Sequence, residues 1–376
     1  MKVIGFLINP IAGMGGSVGL KGTDGDLLVE ALRRGARPIA PYRADRFLRR
    51  LRKLINSNLT IVTPPKIMGE NAARKYFNSV ETIDFNVSEI TSSADTINSC
   101  KLMISRGVDL IVFVGGDGTA RDVYSIIRDS VPILGVPSGV KMYSGVFASS
   151  PEAAAEVVKL FIDGNAELDL CEIADVDERS LGMDEIRIRI YGIAKVPSHP
   201  NLIVPSKDFS GNDIDNKEEV AEYMVSEVMK PNTLYLLGPG STVKAIADKL
   251  GVKKTLLGVD AVYNGRLVGK DLSESDILNL LSMYNNVKVI VSPIGGQGFI
   301  FGRGNQQISA RVLRIIGKEN VIVISTRNKI ANLRFLRVDT GEPVVDNYFE
   351  GYIRVIVGYN EEAVVRVRSF TGLDDE

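Results

Sequence analysis

The chain has 376 residues, a formal net charge of -1, 45% hydrophobic and 24% charged residues, a make-up that fits a folded globular protein and excludes a disordered one. So balanced a charge leaves no electrostatic footprint for wrapping nucleic acid. A single histidine, His199, and two distant cysteines, Cys100 and Cys171, exclude a multi-histidine metal site and leave proton chemistry to carboxylates, lysine or tyrosine.

At this length two domains are expected, with a boundary near residue 150. No apolar run approaches the ~20 residues that span a bilayer. The apolar start is cut short by Asn9-Pro10, too early for a signal peptide, so no membrane partner and a reducing, cytoplasmic location are expected. Val3 to Ile8 reads as a buried strand that empties into a glycine-rich segment running from Ala12 to Gly25. This segment is neither Gly-x-Gly-x-x-Gly, which fails at Val18, nor Walker A, because Leu20 precedes Lys21. Asn9, Gly13, Gly15, Gly16, Lys21, Thr23 and Asp24 are its candidate phosphate or ribose contacts.

Asp26 to Arg34 and Ala44 to Leu54 have helical periodicity, the second with a basic face (Arg46, Arg49, Arg50, Arg52, Lys53) expected to be solvated. Leu59 to Val62 is a strand stopped by Pro64-Pro65, Gly69 to Phe77 a helix, and Thr91 to Arg106 a helix capped near Ser92 and stopped by Gly107. Leu110 to Val114 is an apolar, β-branched strand that runs into Gly115-Gly116-Asp117-Gly118-Thr119 and a further helix to Arg128. A carboxylate thus stands at the end of a parallel strand and the start of a helix, where open α/β sheets collect anionic ligands. The glycines around it would let the backbone approach a phosphate and take positive φ where needed.

Val131 to Val136 is the next strand and empties into Pro137 to Ala148, which places Ser138, Lys141, Tyr143 and Ser144 at the same sheet edge as Asp117. Alternating strands and helices to this point predict a doubly wound parallel sheet. Pro151 to Gly164 reads as a helix linking two domains. Beyond it, Glu185 to Tyr191 alternates like a half-exposed antiparallel strand, and Ser198 to Asn216 reads as a polar loop. Strands recur at 234–237, 255–262, 287–291, 321–324, 333–338, 352–357 and 363–367, with helices at 217–229, 242–250 and 275–283. The second half is therefore mainly β with inserted helices. Gly238, Gly240, Ser241 and Thr242 form a strand-to-helix turn that could face an anion or simply cap the helix. Gly295, Gly296, Gln297, Arg303, Asn305, Gln306 and Gln307 combine glycines with planar amide and guanidinium groups suited to nucleotide edges. Asp260 is a candidate carboxylate at a strand end, or an ordinary turn aspartate.

Gly115-Gly116-Asp117-Gly118-Thr119 resembles the GGDGT signature shared by NAD kinases, diacylglycerol kinases and sphingosine kinases. Asn9-Pro10 with its glycine-rich turn is similar to the first nucleotide-binding segment of that superfamily, and Gly238 to Thr242 to the TPTGST segment of NAD kinases. With Gly135 to Gly145 and Gly302 to Gln307, the whole chain resembles the ATP-NAD kinase-like branch that includes AcoX-type proteins.

The resemblance implies a Rossmann-like domain over 1–150, a β-rich substrate domain over 151–376, and a ligand cleft between them. It also implies transfer of the ATP γ-phosphate, with Mg²⁺, to a hydroxyl such as the ribose 2′-hydroxyl of NAD. Asp117 would orient or deprotonate the acceptor and position the metal, with no dedicated protein metal site, while Gly116, Gly118 and Thr119 hold phosphate. A homodimer or homotetramer is expected. Two departures from NAD kinases stand out: no Asn-Glu pair occurs between Glu185 and Ala194, and Gly238-Pro239 replaces Thr-Pro. Two alternatives to NAD kinase remain: a kinase of another metabolite or lipid hydroxyl, and a nucleotide-binding sensor without turnover.

Overall fold

Apolar, β-branched runs separated by amphipathic helices produce, in the computed structural model, a five-stranded parallel sheet followed by a nine-stranded mixed sheet. The structure describes residues 2–20, 26–55, 59–88, 90–128, 130–139, 142–176, 188–198, 214–294 and 298–369. Candidate residues Lys21, Thr23, Asp24, Lys141, Gly295, Gly296 and Gln297, together with His199, lie outside these.

The first half runs β1 (Val3–Ile8), α1 (Asp26–Arg33), α2 (Ala40–Leu54), β2 (Thr60–Thr63), α3 (Glu70–Ala73), β3 (Val80–Thr82), α4 (Ser93–Ser105), β4 (Leu110–Gly115), α5 (Asp117–Ile127), β5 (Ile133–Pro137) and α6 (Pro151–Ile162). Strand order is β3-β2-β1-β4-β5, and every pairing is parallel. The order therefore reverses between β1 and β4, so the connections that leave their carboxyl ends run to opposite sides of the sheet, the usual ligand position in such folds. Ser92 and Asp95 form the capping box of α4. The expected helix over 69–77 is only one turn, α3. β3 has no apolar run to announce it: Val-Glu-Thr is half-exposed at the sheet edge.

The basic face of α2 is solvated at Arg49, Arg52 and Lys53, as expected, but not at Arg46 and Arg50. Arg46 makes a bidentate pair with Glu152 of α6 at 2.8 Å, and Arg50 reaches Glu156 one turn later. Residues 46 and 50 on one helix thus match 152 and 156 on its neighbour, because i and i+4 share a helix face. This pairing locks α6 onto α2.

A hairpin, β6 (Glu167–Val176) and β7 (Ile188–Ser198), follows, antiparallel as the alternation predicts and bulged between Ile173 and Ala174. Ile173, Ala194 and Val196 join the same apolar core as the five-stranded sheet and α6, so this packing unit continues past residue 150.

The second half runs α7 (Ile214–Tyr223), continued by a π-helical turn at Met224–Val228, then β8 (Leu234–Leu237), α8 (Ser241–Lys249), β9 (Asp260–Tyr263), β10 (Arg266–Gly269), α9 (Glu274–Met283), β11 (Val287–Val291), β12 (Phe299–Phe301), α10 (Ala310–Ile316), β13 (Val321–Ile324), α11 (Arg327–Ala331), β14 (Leu336–Val338), α12 (Pro343–Tyr348), β15 (Gly351–Gly358) and β16 (Glu361–Ser369). The sheet order is β10-β9-β8-β11-β13-β15-β16-β14-β12. Its centre, β8-β11-β13-β15, is parallel, as the continuous apolar runs of these strands allow. β12 and β14 are also parallel, so Phe301 and Val338 deliver Gly302-Arg303 and Asp339-Thr340 to one edge. No helix among the described residues is long and apolar enough to cross a membrane.

Candidate active site

The reversal between β1 and β4 brings the first glycine loop onto the Gly115 to Thr119 loop. Asn9 N–H donates to the Val114 carbonyl at 3.0 Å, and Asn9 Nδ2 to Thr119 Oγ1 at 2.9 Å. The glycines next to Asp117 adopt ordinary φ, so the freedom to take positive values is not used here. Two of them serve close packing: a Cβ on Gly115 would stand 2.5 Å from Thr119 Oγ1 and one on Gly116 3.0 Å from Gly139 Cα, whereas one on Gly118 would meet nothing within 4 Å. Gly13 does take φ +79, and a Cβ there would lie 1.8 Å from the Ser138 carbonyl oxygen. Three separate loops, after β1, β4 and β5, are thereby pressed together at one sheet edge.

Asp117 opens α5 and is only 4% exposed. Its Oδ2 accepts the Tyr143 amide at 2.5 Å and its Oδ1 the Ser144 amide at 3.0 Å. The Ser144 hydroxyl in turn bonds both the carbonyl and the amide of Ala174 in β6, so the hairpin holds the loop that holds the carboxylate. Burial pushes the Asp117 carboxyl up from its ordinary range to about 7. The Ser144 and Tyr143 hydrogen bonds oppose that rise, and the charge of Asp175 adds to it. A carboxyl titrating near neutrality can both hold and release a proton at working pH.

No group of three His, Cys, Asp or Glu side chains among the described residues could hold a metal ion. Both Asp117 oxygens accept an amide N–H.

Beside these loops lies a cleft of about 330 Å³, within the range of small-ligand sites. One wall is the carboxyl end of β5, Pro137 to Gly139; the facing wall is the carboxyl ends of β12 and β14, with Arg303 and Asp339. Gln306 Nε2 donates to the Gly139 carbonyl at 3.4 Å, and Arg303 Nη2 to the Ser149 carbonyl at 2.6 Å, so the two halves meet here directly. Asp117 is not on the cleft surface. It stands one layer behind, where Ser138 and Gly139 donate to the Gly115 carbonyl.

Not every candidate reaches this place. Asp260 is fully buried: it accepts from Thr255 N–H, Thr255 Oγ1 and Asp271 N–H and sits 3.6 Å from Lys254 Nζ. Its oxygens are spent on the loop before β9 and on the turn after β10. Asn305 closes its own turn, accepting from Gly302 N–H and donating to the Ile300 carbonyl. Gly240, rather than Ser241 or Thr242, is the N-cap of α8, with no side-chain cap, and the turn bonds to Ile290 and Leu256 carbonyls of its own sheet region. Gly15 and Gly16 shape the first loop through bonds to Leu20 and Gly13.

Two cleft residues had no signal in the sequence. Arg43 of α2 donates to both Asp339 oxygens at 2.6 and 2.7 Å across 296 positions of chain. Burial would raise the Asp339 carboxyl, but Arg43, Arg46 and Arg303 outweigh it and hold the group below its ordinary range. Nothing in the local pattern of either residue forecasts so distant a partner.

No curated protein sequence matches the chain significantly. A diacylglycerol kinase structure from Bacillus anthracis str. Sterne aligns at 17% identity over 47% of this chain and 46% of its own, with a TM-score of 0.21. The chain therefore spans about half the length of that protein, and a likeness this low carries no argument. Family models are decisive instead: residues 4–166 match the ATP-NAD kinase N-terminal domain and residues 231–367 the ATP-NAD kinase C-terminal domain. Together they take in most of the sequence, both sheets and both walls of the cleft, and the chain belongs to the ATP-NAD kinase family.

Proposed function

We propose that this protein is an ATP-dependent kinase of a small-molecule hydroxyl, with NAD as acceptor and NADP as product. The observation that carries the reading is Asp117: a buried carboxyl pushed up to about 7, at a helix start beside the interdomain cleft, in a chain of the ATP-NAD kinase family. Phosphoryl transfer asks mostly for positioning and charge neutralisation, which needs no histidine. To take the proton of an acceptor hydroxyl, Asp117 must exchange one of its two amide partners, Tyr143 or Ser144, for that hydroxyl. Amides at the start of α5 and the hydroxyl of Thr119 offer donors to phosphate oxygens. Magnesium bound with ATP supplies charge neutralisation at the transferring phosphate.

A second acceptor class is favoured by one specific feature. The stretch from Glu185 to Ala194 has no Asn-Glu pair, the residues that grip the NAD ribose in NAD kinases, so another hydroxyl-bearing metabolite fits the same phosphoryl chemistry. A screen of NAD, NADH and common coenzymes with γ-labelled ATP and Mg²⁺ separates the two. Label in NADP supports NAD as acceptor, label in another coenzyme supports the second class, and label in no acceptor contradicts the kinase reading.

A further inference from the structure

Arg303 is 3% exposed and lines the cleft. Its Nη2 is used on the Ala148 and Ser149 carbonyls and its plane lies 4.0 Å from the Phe299 ring centre, but Nε and Nη1 have no hydrogen-bond partner. Arg303 makes no ion pair among the described residues, whereas the other cleft charges are matched: Arg43 with Asp339, and Glu342 with Arg314. A buried guanidinium with two idle donors is costly unless something answers it. Burial accordingly pushes Arg303 down to about 9, only partly offset by Asp339. On the opposite wall, Ser138 is 6% exposed and its Oγ also lacks a partner. The two side chains that carry these unpartnered atoms, one from each half of the molecule, both line a single small cavity.

We propose that Arg303 and Ser138 form an oxyanion position in the cleft, separate from the Asp117 carboxylate, that takes a phosphate group of the bound ligand. A phosphate there would accept from Arg303 Nε and Nη1 in the fork geometry that guanidinium offers, and from the Ser138 hydroxyl. Because Arg303 also grips the 148–149 carbonyls, the anion would tie the two halves together. The preference for phosphate over carboxylate rests on the kinase reading above; the donor array itself does not.

The test uses the full chain and inorganic phosphate, followed by calorimetric titration and thermal unfolding. Phosphate should bind and raise the melting temperature of the wild type. Ser138→Ala should unfold no earlier than wild type without phosphate, since the lost hydroxyl had no partner, yet bind phosphate at least about tenfold more weakly, the usual effect of removing a hydrogen bond to a charged group. Arg303→Met should lose phosphate binding; should it fold poorly, Ser138→Ala still decides. Displacement of phosphate by ATP assigns the position to the donor, and displacement by NAD to the acceptor. Absence of phosphate binding to the wild type, acetate binding in its place, or unchanged affinity in Ser138→Ala would overturn the proposal. Failure of the kinase reading shows separately, as no labelled product in the acceptor screen.

Discussion

The Arg43–Asp339 pair clamps the two halves, and its removal should be asymmetric. Arg43 is 7% and Asp339 3% exposed, and the carboxylate serves more than one cation: Arg46 lies 3.9 Å away and Arg303 also feels its charge. Asp339→Asn therefore strips the counter-charge from several buried guanidinium groups, and breaking a buried pair in this way costs about 3–5 kcal/mol. Arg43→Met leaves Asp339 still facing Arg46 and Arg303, so its cost should be clearly smaller. The double variant Arg43→Met/Asp339→Asn should cost less than the sum of the singles, since each orphan then disappears or is diluted. The chain has no tryptophan, so urea unfolding is best followed by far-ultraviolet circular dichroism, with calorimetry to reveal whether the halves begin to melt separately. An Asp339→Asn variant within about 1 kcal/mol of wild type, or an Arg43→Met variant that costs as much as Asp339→Asn, would refute this account.

Other consequences follow from the same geometry. Asp117 is pushed up to about 7 and Asp346, by burial and the charge of Asp339, to about 6. A carboxyl raised in the folded state binds its proton more tightly there than when unfolded, so stability should fall as pH rises from 5 to 8. For Asp117 the gap from 3.8 to about 7 corresponds to roughly 4 kcal/mol at most. Asp339 acts oppositely, with its contribution lost only as pH falls below the ordinary carboxylate range. Urea midpoints from pH 5 to 8 check the first sign and midpoints carried below pH 4 the second; a midpoint that climbs between pH 5 and 8 would contradict the first. Gly13→Ala places a methyl 1.8 Å from the Ser138 carbonyl at φ +79, which forces the first loop off the Ser138 loop. A loss of about 2 kcal/mol or more and weakened ligand binding are expected, and wild-type stability would show that the loops do not press together as described.

Much of the fold was legible because many of its strands are apolar runs stopped by glycine or proline, as at Leu110 to Gly115 and Leu234 to Leu237. Short or half-exposed elements were not: β3, β10 and β12 are three or four residues long, too brief for periodicity to register. The parallel centre of the second sheet escaped because an apolar run does not disclose its partner's direction. In the site, Asp117 and its glycine loop were marked by composition at a strand end. The sequence leaves Asp260 open between a ligand contact and a turn aspartate, and offers Asn305 as a nucleotide contact, because a polar residue in a turn looks the same whether it meets a ligand or its own backbone. Arg46 was read as solvated because helical charge usually is, and only the matching acids on α6 reverse that. Arg43 and Asp339 depend wholly on tertiary contact.

The central claim is that this chain transfers phosphate to a small-molecule hydroxyl through Asp117. The most direct measurement incubates wild type and Asp117→Asn with γ-labelled ATP, Mg²⁺ and NAD, with circular dichroism to confirm that both are folded. Labelled NADP from wild type and its loss in the folded variant is the predicted result, and robust phosphorylation by Asp117→Asn would contradict it.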